Sequence, residues 1–223
     1  MGMSIAIDGP VGAGKSTVAD AVAARLGMLH LDTGAMYRAL GLSALRRGVN
    51  VEDEEAVAAL CGETDISVTH EADGQHTWAD GEDVTGLIRT PEVSMAASTV
   101  SRYAPVRAAM VRRQQQLASE TDMLLDGRDI CTTVLPHATV KIFLTAAPEE
   151  RARRRYLELK EKGSDDTYEQ VLAELKKRDA QDMNRAVEPL RQAEDAVLVD
   201  STHLSFDQVV ETIVKIAEEK RNG

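Results

Sequence analysis

The first 27 residues limit this chain's options more than any other stretch. Ser4-Ile5-Ala6-Ile7-Asp8 is a short apolar run of strand type. Gly9-Pro10-Val11-Gly12-Ala13-Gly14-Lys15-Ser16 follows and fits G-x-x-x-x-G-K-[ST] at every fixed position. Val18, Val22 and Leu26 then recur at helical spacing, and Gly27 ends the pattern. Strand, glycine turn and helix are the context the motif requires. A phosphate chain needs backbone N–H groups that approach closely, which glycines permit, and a helix N-terminus adds a favourable dipole. Lys15 can neutralise β/γ oxygens and Ser16 can ligate Mg²⁺. Gly9, Pro10, Val11, Gly12, Ala13, Gly14, Lys15, Ser16 and Thr17 are therefore expected to hold a nucleoside triphosphate.

The rest of the chain continues an alternating pattern. Met28 to Leu31 reads as a strand and Thr33 to Arg47 as a helix stopped by Gly48. Met123-Leu124-Leu125-Asp126 and Thr139 to Leu144 are buried-type strands, and Ala196 to Asp200 is the last strand. Helices are expected over Thr99–Leu117, from Pro148 and from Thr167, where Thr167-x-x-Gln170 is a capping box; Ser205-x-x-Gln208 caps the last one. Such alternation predicts an α/β fold with a five-stranded parallel sheet flanked by helices.

Residues 52–92 break the rhythm. Glu54 to Leu60 looks helical, Asp65–Thr69 and Gln75–Ala79 alternate like strands, and Asp73-Gly74 between them signals a hairpin. The segment holds twelve acids and one base, Arg89, so it carries the whole net charge of −11 while the remainder is neutral. It reads as an inserted antiparallel subdomain at 52–96, within a core formed by 1–51 and 97–223. The acidic total argues against a nucleic acid polymer as partner. No apolar run nears the roughly 20 residues of a membrane span, and Met1-Gly2-Met3-Ser4 lacks the features of a signal peptide. Cys61 and Cys131 make no disulfide framework. A cytoplasmic monomer is the expectation.

A GTPase would need an N-K-x-D element, and neither Asn50, Asn184 nor Asn222 begins one. Several segments are rich in cations and hydroxyls beyond what a fold requires. Asp32-Thr33-Gly34-Ala35-Met36-Tyr37-Arg38 and Asp126-Gly127-Arg128-Asp129 each follow a strand, at the sheet edge where ligands bind in this architecture. Arg178, Asp182 and Arg185 share one helical face. Taken alone, that last cluster reads as a surface salt-bridge ladder.

Together these segments resemble the bacterial cytidylate kinases, a family of P-loop nucleoside monophosphate kinases. The carriers are I-D-G-P-V-G-A-G-K-S-T from Ile7, L-D-T-G-A-M-Y-R from Leu31, D-G-R-D-I from Asp126, V-K-I-F-L from Val140 and R-D-A-Q-D-M-N-R-A-V-E-P-L from Arg178. The resemblance covers essentially the whole chain. It implies a P-loop kinase core, an inserted subdomain for the nucleoside monophosphate, and a short lid near 151–166. It also implies transfer of the ATP γ-phosphoryl group to CMP or dCMP with Mg²⁺.

The implied roles map onto matching positions. Arg38, Arg128, Arg178 and Arg185 would surround the phosphates; Lys15, Arg128, Arg178 and Arg185 would stabilise the transferring group. Asp182 would hold the ribose, and Ser98, Arg107 and Asp129 would read cytosine with Thr33 and Tyr37 nearby. Asp126 has two readings, a Mg²⁺ ligand through water beside Ser16 or a strand-end hydrogen-bonding group. Arg155 stands for the lid contact to ATP, although Arg151, Arg153 and Arg154 are not separable from it by spacing. Cys131 occupies a place where the family usually has glycine, and reads as a buried, inert thiol. Rival readings are a kinase of UMP or of another small molecule, and an ATP-binding regulatory module without catalysis.

Overall fold

Strands made of unbroken apolar residues need cover on both faces, and a parallel sheet between helices supplies it. The computed structural model describes residues 2–222. β1 (Ser4–Asp8) leads through the glycine loop into α1 (Lys15–Leu26), β2 (Leu29–Asp32) and α2 (Thr33–Arg46). α3 (Glu54–Glu63), β3 (Ile66–Glu71), β4 (Gly74–Ala79) and β5 (Glu82–Asp83) form the acidic segment, followed by α4 (Pro91–Val100) and α5 (Ala104–Glu120). Then come β6 (Met123–Gly127), a π-helical turn at Ile130–Val134, β7 (Val140–Thr145), α6 (Pro148–Glu161), α7 (Tyr168–Asn184), β8 (Val197–Asp200) and α8 (Phe206–Asn222). The expected five-stranded sheet is present, in the order β2-β6-β1-β7-β8, and a separate three-stranded sheet runs β3-β4-β5.

The residues gather into two compact units, one up to Met28 and again from Asp122 onward, the other Leu29–Thr121. In the first, β1 pairs in parallel with β6 and β7, and β7 with β8. Ile5, Ile7, Leu124, Ile142 and Leu144 from these strands are wholly buried, packed with Val18 and Val22 of α1 and Val209, Ile213 and Ala217 of α8. The register sets Ile7 beside Asp126 and Asp8 beside Gly127. The loops after β1 and β6 therefore leave the sheet side by side. Both capping boxes form: the Thr167 hydroxyl accepts from the Gln170 N–H, and Ser205 and Gln208 bond reciprocally.

The second unit extends beyond the 52–96 segment on both sides, because α2 packs along α4. Gly41 makes the approach possible: a Cβ there would stand 2.9 Å from the Ala97 backbone nitrogen and 3.2 Å from the Ala96 Cβ. The β3–β4 hairpin pairs Ile66 with Ala79 and Glu71 with Gly74, so its turn is Ala72-Asp73 and Gly74 already belongs to the strand. A second turn, Asp80-Gly81, has both residues at positive φ (51° and 81°) and creates the short third strand, which sequence reading did not separate from a turn.

The single helix expected over Thr99–Leu117 is two. Pro105 lies in the first turn of α5, where no intrahelical N–H is needed; a helix running through it would drive its ring against the carbonyl four residues earlier. The break leaves Ser98 on α4 and Arg107 on α5. Among the described residues no helix is long and apolar enough to cross a membrane.

Two predictions follow from the second unit. Gly41→Ala should lower its melting temperature. Overpacking costs about 1–3 kcal/mol, more than the roughly 1 kcal/mol that alanine adds as helix propensity. An unchanged or higher melt would refute the close-approach argument. His76 lies between Asp83 (Nδ1 to Oδ2, 2.7 Å) and Asp73 (Nε2 to Oδ1, 2.9 Å), and these partners raise its pKa from 6.5 to about 9. A raised pKa stabilises the fold fully below 6.5, and that contribution disappears as pH climbs through 9. The melting-temperature gap between wild type and His76→Gln should therefore shrink between about pH 6 and about pH 10.

Candidate active site

The loop after β1 is shaped by close packing and by chirality. At Gly9 a Cβ would lie 1.9 Å from the Leu144 carbonyl oxygen, so β7 leaves no room for a side chain. Gly14 has φ 83°, a left-handed conformation, with nothing within 4 Å of a Cβ. It is the N-cap of α1 and supplies no side-chain cap, and the first turn carries no acid. The opening N–H groups of α1 are thus offered to an anion.

Lys15 is buried, and its Nζ donates to the Pro10 carbonyl at 2.9 Å. Burial, then repulsion from Arg128, lowers its pKa to about 7, opposed by Asp126, Asp182 and Asp8. Two cations pressed together away from water are a poor arrangement until an anion joins them. Ser16 Oγ donates to Asp126 Oδ2 at 3.0 Å, so the hydroxyl and carboxylate expected to serve Mg²⁺ are adjacent. An all-oxygen donor pair suits that hard cation. Val11 and Gly12 are half-buried, Ala13 is buried and Thr17 is exposed.

A second group of charges lies in the same unit. Arg128 Nε donates to Asp182 Oδ2 at 2.8 Å, and Arg185 NH2 lies 3.3 Å from Asp129 Oδ1. The loop after β6 and the end of α7 are thus cross-paired, acid to base in both directions. Beyond the arginines of its own helix, Asp182 reaches across to Arg128 with an ion pair. Burial pushes the Asp182 carboxyl up, but Arg128, then Arg178 and Arg185, bring it below its ordinary value. Arg128 is held above its usual value, where Asp182 outweighs burial.

In the second unit Asp32 caps α2 through the Ala35 N–H (3.1 Å) and pairs with Arg38 at 2.6 Å. Arg89 NH2 lies 3.7 Å from the same carboxylate. Burial raises the Asp32 pKa, yet Arg38, Arg89 and His30 together hold it below the usual range. The Arg107 guanidinium sits 5.8 Å from the centre of the Tyr37 ring and donates to the Ser101 carbonyl. Thr33 is buried, and Ser98 is half-buried on α4.

Arg155 is exposed on α6 and bonds Glu158 three residues along. The arginine of that helix that meets the phosphate loop is Arg151, which is buried. It donates to the Val11 carbonyl (2.8 Å) and the Ala146 carbonyl (2.8 Å) and pairs with Asp179 at 2.8 Å. Its position is marked in sequence only by being first of four arginines on an amphipathic helix. Cys131 is buried, and burial, then Asp8, pushes its thiol far above the ordinary value, as an unreactive thiol requires.

Known proteins match this arrangement along the chain. The profile of the family described as cytidylate kinase matches residues 5–219. A cytidylate kinase of Caldicellulosiruptor bescii is 51% identical over 214 residues, covering 96% of this chain and 95% of that one. A cytidylate kinase of Bacillus subtilis is 49% identical over 218 residues, with coverages of 98% and 97%. Among solved structures, a shikimate kinase from Bacteroides thetaiotaomicron superposes with a TM-score of 0.50 at 13% identity, covering 97% of this chain and 98% of that one. At that identity the likeness shows the fold alone. With half of its residues shared over nearly the full length of its relatives, the chain belongs to the cytidylate kinase family.

Proposed function

We propose that the chain transfers the γ-phosphoryl group of ATP to the phosphate of CMP or dCMP, giving CDP or dCDP and ADP. The observation that carries this reading is the Ser16–Asp126 hydrogen bond, which sets the phosphate loop beside the strand end that leads to Arg128 and its partner Asp182. A protein that only sensed ATP would need no second anion-binding set beside its phosphate loop.

The nucleophile is a phosphate oxygen of the acceptor, largely ionised near neutral pH, so no side chain has to remove a proton. What the residues supply is position and charge. The phosphate loop with Lys15 cradles the ATP phosphates, and Ser16 with Asp126 would hold Mg²⁺. That ion, when bound, neutralises charge on the ATP oxygens. Arg128, Arg178 and Arg185 offset repulsion between the two anionic substrates, and Arg38 serves the acceptor phosphate. Asp182 accepts from the ribose hydroxyls. Asp129 accepts from the cytosine amino group, Arg107 donates to ring N3 or O2, and Ser98, Thr33 and Tyr37 are proposed as further contacts to the nucleotide. Uracil presents an oxygen where cytosine has the amino group and an N–H where it has a lone pair, which leaves both contacts mismatched. Arg151, through Val11, and the exposed Arg155 are the two lid arginines proposed to act on ATP. The enzyme is proposed to act as a monomer in the cytoplasm, where its nucleotide substrates are found.

A substrate panel tests the reading directly: CMP or dCMP should turn over fastest, and faster turnover of UMP, AMP or a sugar would refute it. Chelation of divalent cations should abolish turnover, and added Mg²⁺ should restore it. Asp129→Ala should reduce the CMP-over-UMP ratio of kcat/KM by about 10–10³-fold, since lost polar matches dominate such discrimination. The KM for ATP should change far less. Equal losses with both acceptors would count against Asp129 as a base reader.

A further inference from the structure

Asp8 has no role in the mechanism above, yet among the described residues no acid is more deeply buried. It ends β1, directly before Gly9. One carboxylate oxygen accepts from the Ile130 N–H and the other from the Cys131 N–H, each at 2.8 Å. These are the opening N–H groups of the π-helical turn, whose own N-cap, Asp129, makes no side-chain cap bond. A residue 122 positions away in sequence therefore caps the turn. The two residues before the turn are Arg128 and Asp129. Their side chains are fixed on α7 by Asp182 and Arg185. The backbone that immediately follows them, at Ile130 and Cys131, is fixed by Asp8.

We propose that Asp8 is a positioning residue that ties the acceptor-reading loop to the phosphate loop. Its carboxylate sets where the Arg128-Asp129 backbone emerges relative to Gly9, and so aims Asp129 at the base. The form of the contact supports a specific role. Burial, only partly offset by the two backbone bonds, raises Asp8 to about 6, so a fold seeking stability alone would do as well with a neutral group. Only a carboxylate, however, presents two acceptors to two neighbouring N–H groups.

The inference rests on the assignment of Asp129 to cytosine. Steady-state kinetics of Asp8→Asn test it, because the amide keeps one acceptor and turns an N–H toward the other donor. The KM for CMP should rise about tenfold or more and the CMP-over-UMP ratio should fall, as displacements near 1 Å produce. The KM for ATP should stay within about twofold, since the phosphate loop keeps its own contacts. An unchanged CMP KM and ratio would overturn the inference, as would ATP and CMP KM values rising in equal proportion. Should Asp8→Asn fail to fold, Asp8→Ser, which retains a single acceptor, is judged by the same criteria. A wild-type enzyme without preference for CMP over UMP would refute the Asp129 assignment and the inference with it. A CMP-preferring wild type whose Asp8→Asn variant keeps that preference would refute the role of Asp8 alone.

Discussion

Parallel pairing of β1 with β6 is the constraint on which the site depends. Both strands carry a continuous apolar stretch, Ile5-Ala6-Ile7 and Met123-Leu124-Leu125, that needs cover on both faces. In parallel they end together, and the register puts Asp8 next to Gly127. Two loops that are 119 residues apart in the chain thereby start from neighbouring points. One carries the glycines, Lys15 and Ser16; the other begins with Asp126, Arg128 and Asp129. The Ser16–Asp126 hydrogen bond and the Asp8 cap depend on that register, and a slip of β1 by one residue would turn Asp8 to the opposite face of the sheet.

Charge is organised at two scales. Over the chain, the −11 belongs to the segment 52–92, where acids face solvent and pair with bases such as Arg46, Arg47 and Arg102. Within the candidate site, arginines have aspartate partners: Arg38 with Asp32, Arg128 with Asp182, Arg185 with Asp129, Arg151 with Asp179. Such pairing lets buried guanidiniums survive without substrate and keeps their planes oriented. The carboxylates thus hold in place the guanidiniums proposed to bind anions, although by charge alone they oppose such binding.

Much of this was legible in sequence. The phosphate loop, the strand–helix alternation and both capping boxes are local features in which residue type and conformation correspond closely. The one long helix expected over Thr99–Leu117 is interrupted because Pro105 overrides the local pattern through sterics. Asp73-Gly74 marks the β3–β4 hairpin, and the same dipeptide signal at Asp80-Gly81 marks the further turn that creates β5. Arg151, Asp32 and Asp8 could not be assigned from spacing, because their roles arise from partners 140, 57 and 122 positions away or from burial that only the fold creates.

The glycines of the phosphate loop look interchangeable as letters of one motif, but they answer different demands. Gly14 answers a demand of handedness, with open space where a side chain would stand. Asparagine, which tolerates that conformation, is a reasonable substitute there. Gly9 answers a demand of volume, with the Leu144 carbonyl already occupying the place of a first carbon. No side chain meets that demand. A library randomised across the loop would therefore return a short alphabet at one glycine and a single letter at the other.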